Sequence, residues 1–220
     1  MSMQTEVRSA KERLILTAER LYALHGLDGV PLRQIAIEAG TANKSAVQYH
    51  FGSKDALVTA VLANRVDDLD RRRGLLYARA DLRDVRAVVE AQHLPLIELG
   101  EDQMCYYLEF IEQLERKSHP FHELPPANRL TEQAYYDRVG ALLGSVPVEL
   151  RELRIKQATA ACLHICTDRR RTRELGEAVP PYAVHVSQLL DSLVGLLTLE
   201  PSRETTAALE VWSGQKVGRT

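Results

Sequence analysis

The stretch NKSAVQYHFGSKDAL, Asn43 to Leu57, decides how the chain is read. Ala46, Val47 and Phe51 fall where they share one side of a short helix, Asn43, Lys44, Ser45, Gln48, Tyr49 and His50 are left as outward donors and acceptors, and Gly52 ends the run. A helix of about seven residues melts in isolation, because nucleation costs more than one or two turns of hydrogen bonds return. Such an element persists only if its neighbours hold it. A short helix held with a polar face outward is what reading the edges of base pairs requires. Ser53 is placed to cap a following helix, which puts Lys54 among free N–H groups that favour a phosphate.

Upstream, Ser9 and Glu12 have the spacing of a capping box, and Leu14, Ala18, Leu21 and Tyr22 recur at helical period until Gly26 supplies a left-handed stop. Pro31 to Ala39 reads as a second helix with Leu32, Ile35, Ala36 and Ala39 inside, Arg33, Gln34 and Glu38 outside, and Gly40 as its end. A short helix, a polar turn and a second short helix outline a helix-turn-helix.

Through ERLILTAERLYALHGLDG, LRQIAIEAG and YHFGSKDAL, over Arg13 to Leu57, the chain resembles the TetR family of bacterial transcriptional repressors. The resemblance implies an all-α fold, with a helix-turn-helix DNA-binding domain over residues 1–56 and a larger helical ligand-binding and dimerisation domain over 57–220. It also implies a homodimer on a palindromic operator of double-stranded DNA, a small and mostly apolar organic effector, and neither catalysis nor a cofactor. Two departures bear on the contacts. Val30-Pro31 stands where the family has a Thr pair, and one extra residue before His50 puts Gln48 where an aromatic is common and shifts Tyr49 by one. Arg33, Lys44, Tyr49, His50 and Lys54 are therefore expected on phosphates or base edges, and Thr41, Asn43, Ser45 and Gln48 as base readers.

Beyond Leu57, apolar spacing through Val58, Val61, Leu62, Val66 and Leu69 predicts one helix leaving the small domain and entering the large one. A helix begun at Asp81–Asp84 carries Leu82, Val85, Val88 and Val89 at core spacing, with Pro95 predicting a kink near His93. A further helix is expected from Glu101-Asp102. His93, Met104, Tyr106, Tyr107, Phe110 and Tyr135 are the expected pocket residues, since aromatics with a polar tip suit a mostly apolar ligand. Plain core packing is the alternative for each. His119, His122 and Glu123 share one Pro-rich loop without a second ligand cluster, so no metal site is expected.

Two late helices read as an interface. Small groups, Ala158, Ala161 and Cys162 with Ile165, allow close approach on the first, and Val186, Leu189, Leu190, Leu193 and Leu197 make a stripe on the second that is wide for one neighbour. A four-helix bundle across a two-fold axis covers it, and an intrachain core is the alternative. Arg169 to Arg171 and Arg173 read as a solvated helix end whose cations oppose the dipole.

Composition sets outer limits. Hydrophobic residues are 45% and charged residues 26%, the balance of an ordinary globular chain, and the net charge of −2 announces no nucleic-acid binder by itself. Up to Asp55 there are seven bases against six acids. No run approaches the roughly 20 apolar residues of a membrane span. The first residues lack a signal-peptide pattern, so a cytoplasmic location is expected. Three cysteines, Cys105, Cys162 and Cys166, fit neither a disulfide framework nor a zinc site and read as buried apolar groups. A helical enzyme using His93, Glu109 or Cys105 has no nucleophile–base spacing to support it, and a protein–protein adaptor is the other reading.

Overall fold

The computed structural model describes residues 9–117 and 126–217, and the regular elements among them are all helices. The first, α1 (Ala10–Gly29), starts at the capping box foreseen: Ser9 Oγ accepts the Glu12 N–H at 3.2 Å and Glu12 Oε2 accepts the Ser9 N–H at 2.7 Å. Gly26, at φ 74°, interrupts it, and the last residues to Gly29 form a separate turn. The next two, α2 (Leu32–Glu38) and α3 (Ala46–Phe51), are followed by Gly40 at φ 65° and Gly52 at φ 76°. Behind Gly40 the Thr41 N–H reaches back to the Ala36 carbonyl at 3.1 Å, the six-to-one bond of a Schellman end. Helix α4 (Lys54–Tyr77) opens on Ser53, whose Oγ accepts the Ala56 N–H at 3.1 Å.

These four helices enclose a core of Leu14, Ala18, Leu21, Tyr22, Ile35, Val47, Leu57 and Val61. Forming an isolated helical nucleus costs about 4 kcal/mol at a nucleation constant near 10⁻³. Fully burying one Val returns roughly 1.5–3 kcal/mol. Ala46 and Val47, 5% and 1% exposed, together with half-buried Phe51, therefore hold α3 where local propensity alone does not.

The remaining helices are α5 (Val85–Leu99), α6 (Tyr107–Glu115), α7 (Pro126–Leu142), α8 (Val148–Glu174), α9 (Tyr182–Thr198) and α10 (Arg203–Val217). Val88, Val89, Ile97, Tyr135, Val139, Ala158, Cys162 and Leu193 build a second core among α5, α7, α8 and α9. Helix α6 belongs to both, for Tyr107, Phe110 and Leu114 pack into the first core while Leu108 packs into the second.

Three expectations are corrected. Helix α6 starts at Tyr107, not at Glu101; residues 101–106 form turns. Leu82 is 40% exposed, ahead of α5, which begins only after the Asp84 cap. The arginines at the end of α8 are not a solvated end. Arg169 and Arg170 are 8% and 6% exposed, because their forked donors satisfy the turn that replaces the expected helix start. Arg169 pairs with Glu101 at 2.7 Å and donates to the Pro180 carbonyl at 2.7 Å; Arg170 donates to the Asp102 and Cys105 carbonyls and pairs with Glu109 at 3.3 Å. Arg173 joins Glu101 at 2.9 Å, and Arg171 alone stays exposed. All three cysteines are free and buried.

Candidate nucleic-acid interface and ligand cavity

The polar side of α3 faces out. Lys44, Ser45, Gln48 and Tyr49 are exposed, Tyr49 by 81%, and the half-buried His50 ring meets Tyr49 edge-on with centroids 5.0 Å apart. Arg33 is exposed on α2. Lys54, at the N-terminus of α4, lays its Nζ 5.8 Å from the Tyr22 ring centroid. Two of the expected base readers have work inside the turn. Thr41 Oγ1 donates to the Ala36 carbonyl at 2.7 Å, and Asn43 Oδ1 accepts the Ser45 N–H at 2.8 Å, an Asx turn that starts α3. Of the expected base readers, Ser45 and Gln48 are exposed and their side chains make no hydrogen bond to another described residue. Between α1 and α3, Arg13, Thr41, Asn43, Tyr49 and His50 line a groove, and Arg13 Nε donates to the Ala39 carbonyl at 3.1 Å. Lys11, whose Nζ stands 5.9 Å from the Phe51 ring centroid, brings a further cation to this face. Its place was not read from the sequence, where Lys11 is one of the seven bases up to Asp55 and is not among the expected contacts. Glu19 is 1% exposed and turned to Arg65 and Tyr106, so this acid of α1 does not face the groove.

In the larger part, a cavity of about 110 Å³ opens between α4, α6, α7 and α8. Leu62, Val66, Leu96, Tyr107, Ile111 and Leu163 form its apolar walls, and Asp70, Arg73, Asn128 and Glu132 are its polar lining. Of the six residues expected to line a pocket, Tyr107 lines this cavity. His93 Nε2 and Tyr135 Oη are bound to each other at 3.1 Å behind the cavity, with their rings edge to face. Burial, with the nearby Arg73 charge, pushes the His93 pKa down to about 3, so the ring is neutral. Phe110 stacks on Tyr22 at 6.3 Å in the first core. Met104 is 83% exposed on a turn, and Tyr106 lies beside it in an outer groove with Arg170 over its ring at 5.6 Å. The helix faces were right in period but rotated: the side of α6 that carries Phe110 turns to α1, and the ring that reaches the cavity from α7 is Tyr136 rather than Tyr135. His119 and His122 lie outside the described residues; among those described, no group of three or more His, Cys, Asp or Glu side chains is arranged to hold a metal ion.

Residues 14–61 match the pattern of the bacterial regulatory proteins of the tetR family. That stretch is similar to the family's DNA-binding domain. Solved structures share its whole fold. A transcriptional regulator from Rhodococcus sp. Rha1 superposes with TM-score 0.58 at 22% identity, over 86% of this chain and 96% of its own. AmtR from Mycobacterium smegmatis gives TM-score 0.58 at 18% identity, over 97% and 98%. A tetR family regulator from Shewanella sp. PV-4 gives 0.57 at 18%, over 84% and 96%. None of the curated proteins matches the sequence. The fold these structures share extends over nearly the whole chain, and the residues that match the tetR family pattern run from α1 through α2 and α3 into α4.

The residues expected at a subunit interface divide on this TetR-like frame. Ala158, Cys162, Leu189, Leu190, Leu193 and Leu197 are buried within the single chain, where they pack in the second core, and Ala161 and Val186 are half-buried. Ile165 alone of that set is exposed, by 37%, and other exposed apolar residues on the same two helices are Leu153 on α8 and Val184 and Leu196 on α9, with Leu199 beyond it. The wide stripe on α9 is wide because α5 and α8 both pack on it. Among the described residues, no single helix is long and apolar enough to cross a membrane.

Proposed function

We propose that this TetR-family protein is a homodimeric transcriptional repressor that binds a palindromic operator in the cytoplasm and answers to a small, mostly apolar organic ligand. The observation that carries the reading is the polar face of α3, outward and rigid because Ala46 and Val47 anchor its other side. Residues 1–56 act as the DNA-binding domain and 57–220 as the ligand-binding and dimerisation domain, with α4 running from one to the other. Lys44, Tyr49, His50, Lys54 and Arg33 serve the sugar-phosphate rails, while Ser45 and Gln48 read bases and Thr41 and Asn43 shape the turn. Two chains join through the exposed sides of α8 and α9 around Ile165, Leu153 and Leu196, setting two α3 helices about 34 Å apart or a multiple of it. The ligand occupies the cavity bounded by α4 and α7. By favouring a spacing of the α3 helices that no longer fits successive grooves, it lowers operator affinity, which is regulation by differential affinity of two states.

Footprinting with the intergenic DNA beside the gene tests this: a protected, two-fold symmetric stretch absent from scrambled duplex is expected, with dimers in analytical ultracentrifugation. Monomers across micromolar dilution, or equal binding to both duplexes, overturn it.

A further inference from the structure

The cavity between α4, α6, α7 and α8 is apolar along Leu62, Val66 and Leu163, and its polar lining sets one guanidinium against two carboxylates. Arg73 is spent. Its Nε donates to the Gln92 carbonyl at 3.1 Å, its Nη1 to Asp70 Oδ1 at 3.1 Å, and the same nitrogen lies 3.6 Å from Glu132 Oε2. Asp70 is satisfied further by Asn128 Nδ2, which donates to its other oxygen at 2.9 Å. Glu132 is not. Gln92 Nε2 donates at 3.1 Å to the same Oε2 that faces Arg73, and Glu132 Oε1, on a side chain 17% exposed, takes no hydrogen bond from any described residue and keeps contact with solvent. At the rim Glu115 adds a third carboxylate, without an ion-pair partner among the described residues. Burial pushes both Glu115 and Glu132 up toward the protonated form, the response of carboxyls short of positive charge.

These facts select among ligand classes. An anion entering the cavity meets a net negative end whose guanidinium already faces two carboxylates. A purely apolar molecule leaves Glu132 Oε1 in a desolvated site without a donor, which is unfavourable for a polar group. A protonated amine supplies the missing charge and the missing donor together, through a charge-assisted bond of the strong kind. The volume limits the rest of the molecule: a cavity of about 150 Å³ lined by apolar side chains accepts benzene. The roughly 110 Å³ here therefore takes a group of about one ring unless side chains move.

We propose that the effector is a protonated amine bearing a compact apolar group, with its ammonium on Glu132 and its apolar part against Leu62, Val66 and Leu163. This rests on reading the cavity as the effector site, so the test separates the two. Benzylamine, benzyl alcohol and benzoate, alike in shape and different in charge, are titrated calorimetrically into the full-length protein near neutral pH. The amine is expected to bind about tenfold or more tighter than the alcohol, as a charge-assisted bond requires, and benzoate more weakly than either. Glu132→Gln is expected to bring the amine down to the level of the alcohol and leave the alcohol unchanged, and Ile111→Trp, which fills the cavity, to weaken both. The ranking on the unaltered chain holds whether or not a variant folds. Alcohol or benzoate bound as tightly as the amine overturns the cationic assignment and leaves the cavity as the effector site. Amine binding untouched by Ile111→Trp, or no binding by any of the three compounds, overturns the effector site itself and the proposal with it.

Discussion

Glu19, buried on α1, accepts the backbone N–H of Tyr106 on Oε1 at 3.0 Å, and so ties the DNA-binding helices to the turn that precedes α6. The same carboxylate pairs with Arg65 of α4 at 3.3 Å. On the far side of that turn, Arg170 holds the Asp102 and Cys105 carbonyls, so one short segment is gripped from α1 and from α8. Removing one member of a buried pair costs about 3–5 kcal/mol, and less where the partner keeps some solvent, as Arg65 does at 27% exposure. Glu19→Ala is thus expected to lower stability by about 2–3 kcal/mol, and Glu19→Gln by less, since an amide oxygen still accepts from Tyr106. Urea midpoints at constant m measure it, and hydrogen exchange at the Tyr106 amide should quicken in the Ala variant. A loss under about 0.5 kcal/mol would mean that the contact is not holding the turn.

Gly40 and Gly52 frame α3 at positive φ, and nothing stands within 4 Å of a Cβ built on either. The cost of a side chain there is conformational alone, on the order of 1–2 kcal/mol for an L-residue forced into the left-handed region. Gly40→Ala and Gly52→Ala should each destabilise by about that amount, with Asn milder than Ala at both sites. Gly74 supplies the opposite case. It sits inside α4 with open space around it and no positive φ, so Gly74→Ala should stabilise by about 0.5–1 kcal/mol. Thermal unfolding of the three Ala variants gives the comparison. The same sign at Gly40 and Gly74 would contradict the assignment of the left-handed ends.

Those glycines, the Ser9–Glu12 box and the Ser53 cap were legible because each is a local signal, decided within a few residues. So was the outward polar face of α3, which follows from the positions of Ala46 and Val47. Arg169 and Arg170 were not, for their partners lie more than 60 residues away in a turn that the spacing mistakes for a helix start. The cavity failed for a related reason. Period fixes which residues of a helix share a face but not which helix that face meets, so Phe110 goes to Tyr22 and Tyr135 to His93, and Tyr136 takes the place expected for its neighbour. Glu132 and Asp70 carry the one signal that was available, a charge inside an otherwise apolar face, and that signal names no partner until the chain folds.

At the DNA face, Lys54 and Gln48 should separate affinity from specificity. Lys54→Ala removes a positive charge near a helix N-terminus and should weaken binding to operator and scrambled duplex about equally, with the slope of log K against log salt shallower by about 0.9. Gln48, exposed and uncommitted, is able to pair two-pronged with adenine, so Gln48→Ala should cost roughly 1–3 kcal/mol on operator and little on scrambled DNA. Asn43→Ala has a third signature. Its Oδ1 starts α3 through the Ser45 N–H, and its loss should lower operator binding together with the stability of the small domain. Mobility shifts at several salt concentrations distinguish the three, and equal losses on both duplexes for Gln48→Ala would remove it from the readers.

His93 sets an acid limit on the larger domain. In the fold its pKa lies near 3, below the value of about 6.5 in the unfolded chain, so the folded state binds fewer protons than the unfolded one between those values. The stability this group contributes is complete above about pH 6.5 and declines as the pH falls toward 3. By pH 5 the loss is about 2 kcal/mol. The raised pKa values of Glu109, Glu115 and Glu132 act in the other direction, because folded carboxyls that hold their protons more tightly favour the fold as acid is added. The comparison that isolates the imidazole is therefore the difference between the parent chain and His93→Leu, measured by urea midpoints from pH 7.5 down to pH 5. Leu lacks the bond to Tyr135 and should be less stable near neutral pH, yet its deficit against the parent should shrink by about 2 kcal/mol as the pH falls to 5. Parallel curves would mean that His93 takes up its proton inside the fold as readily as outside it.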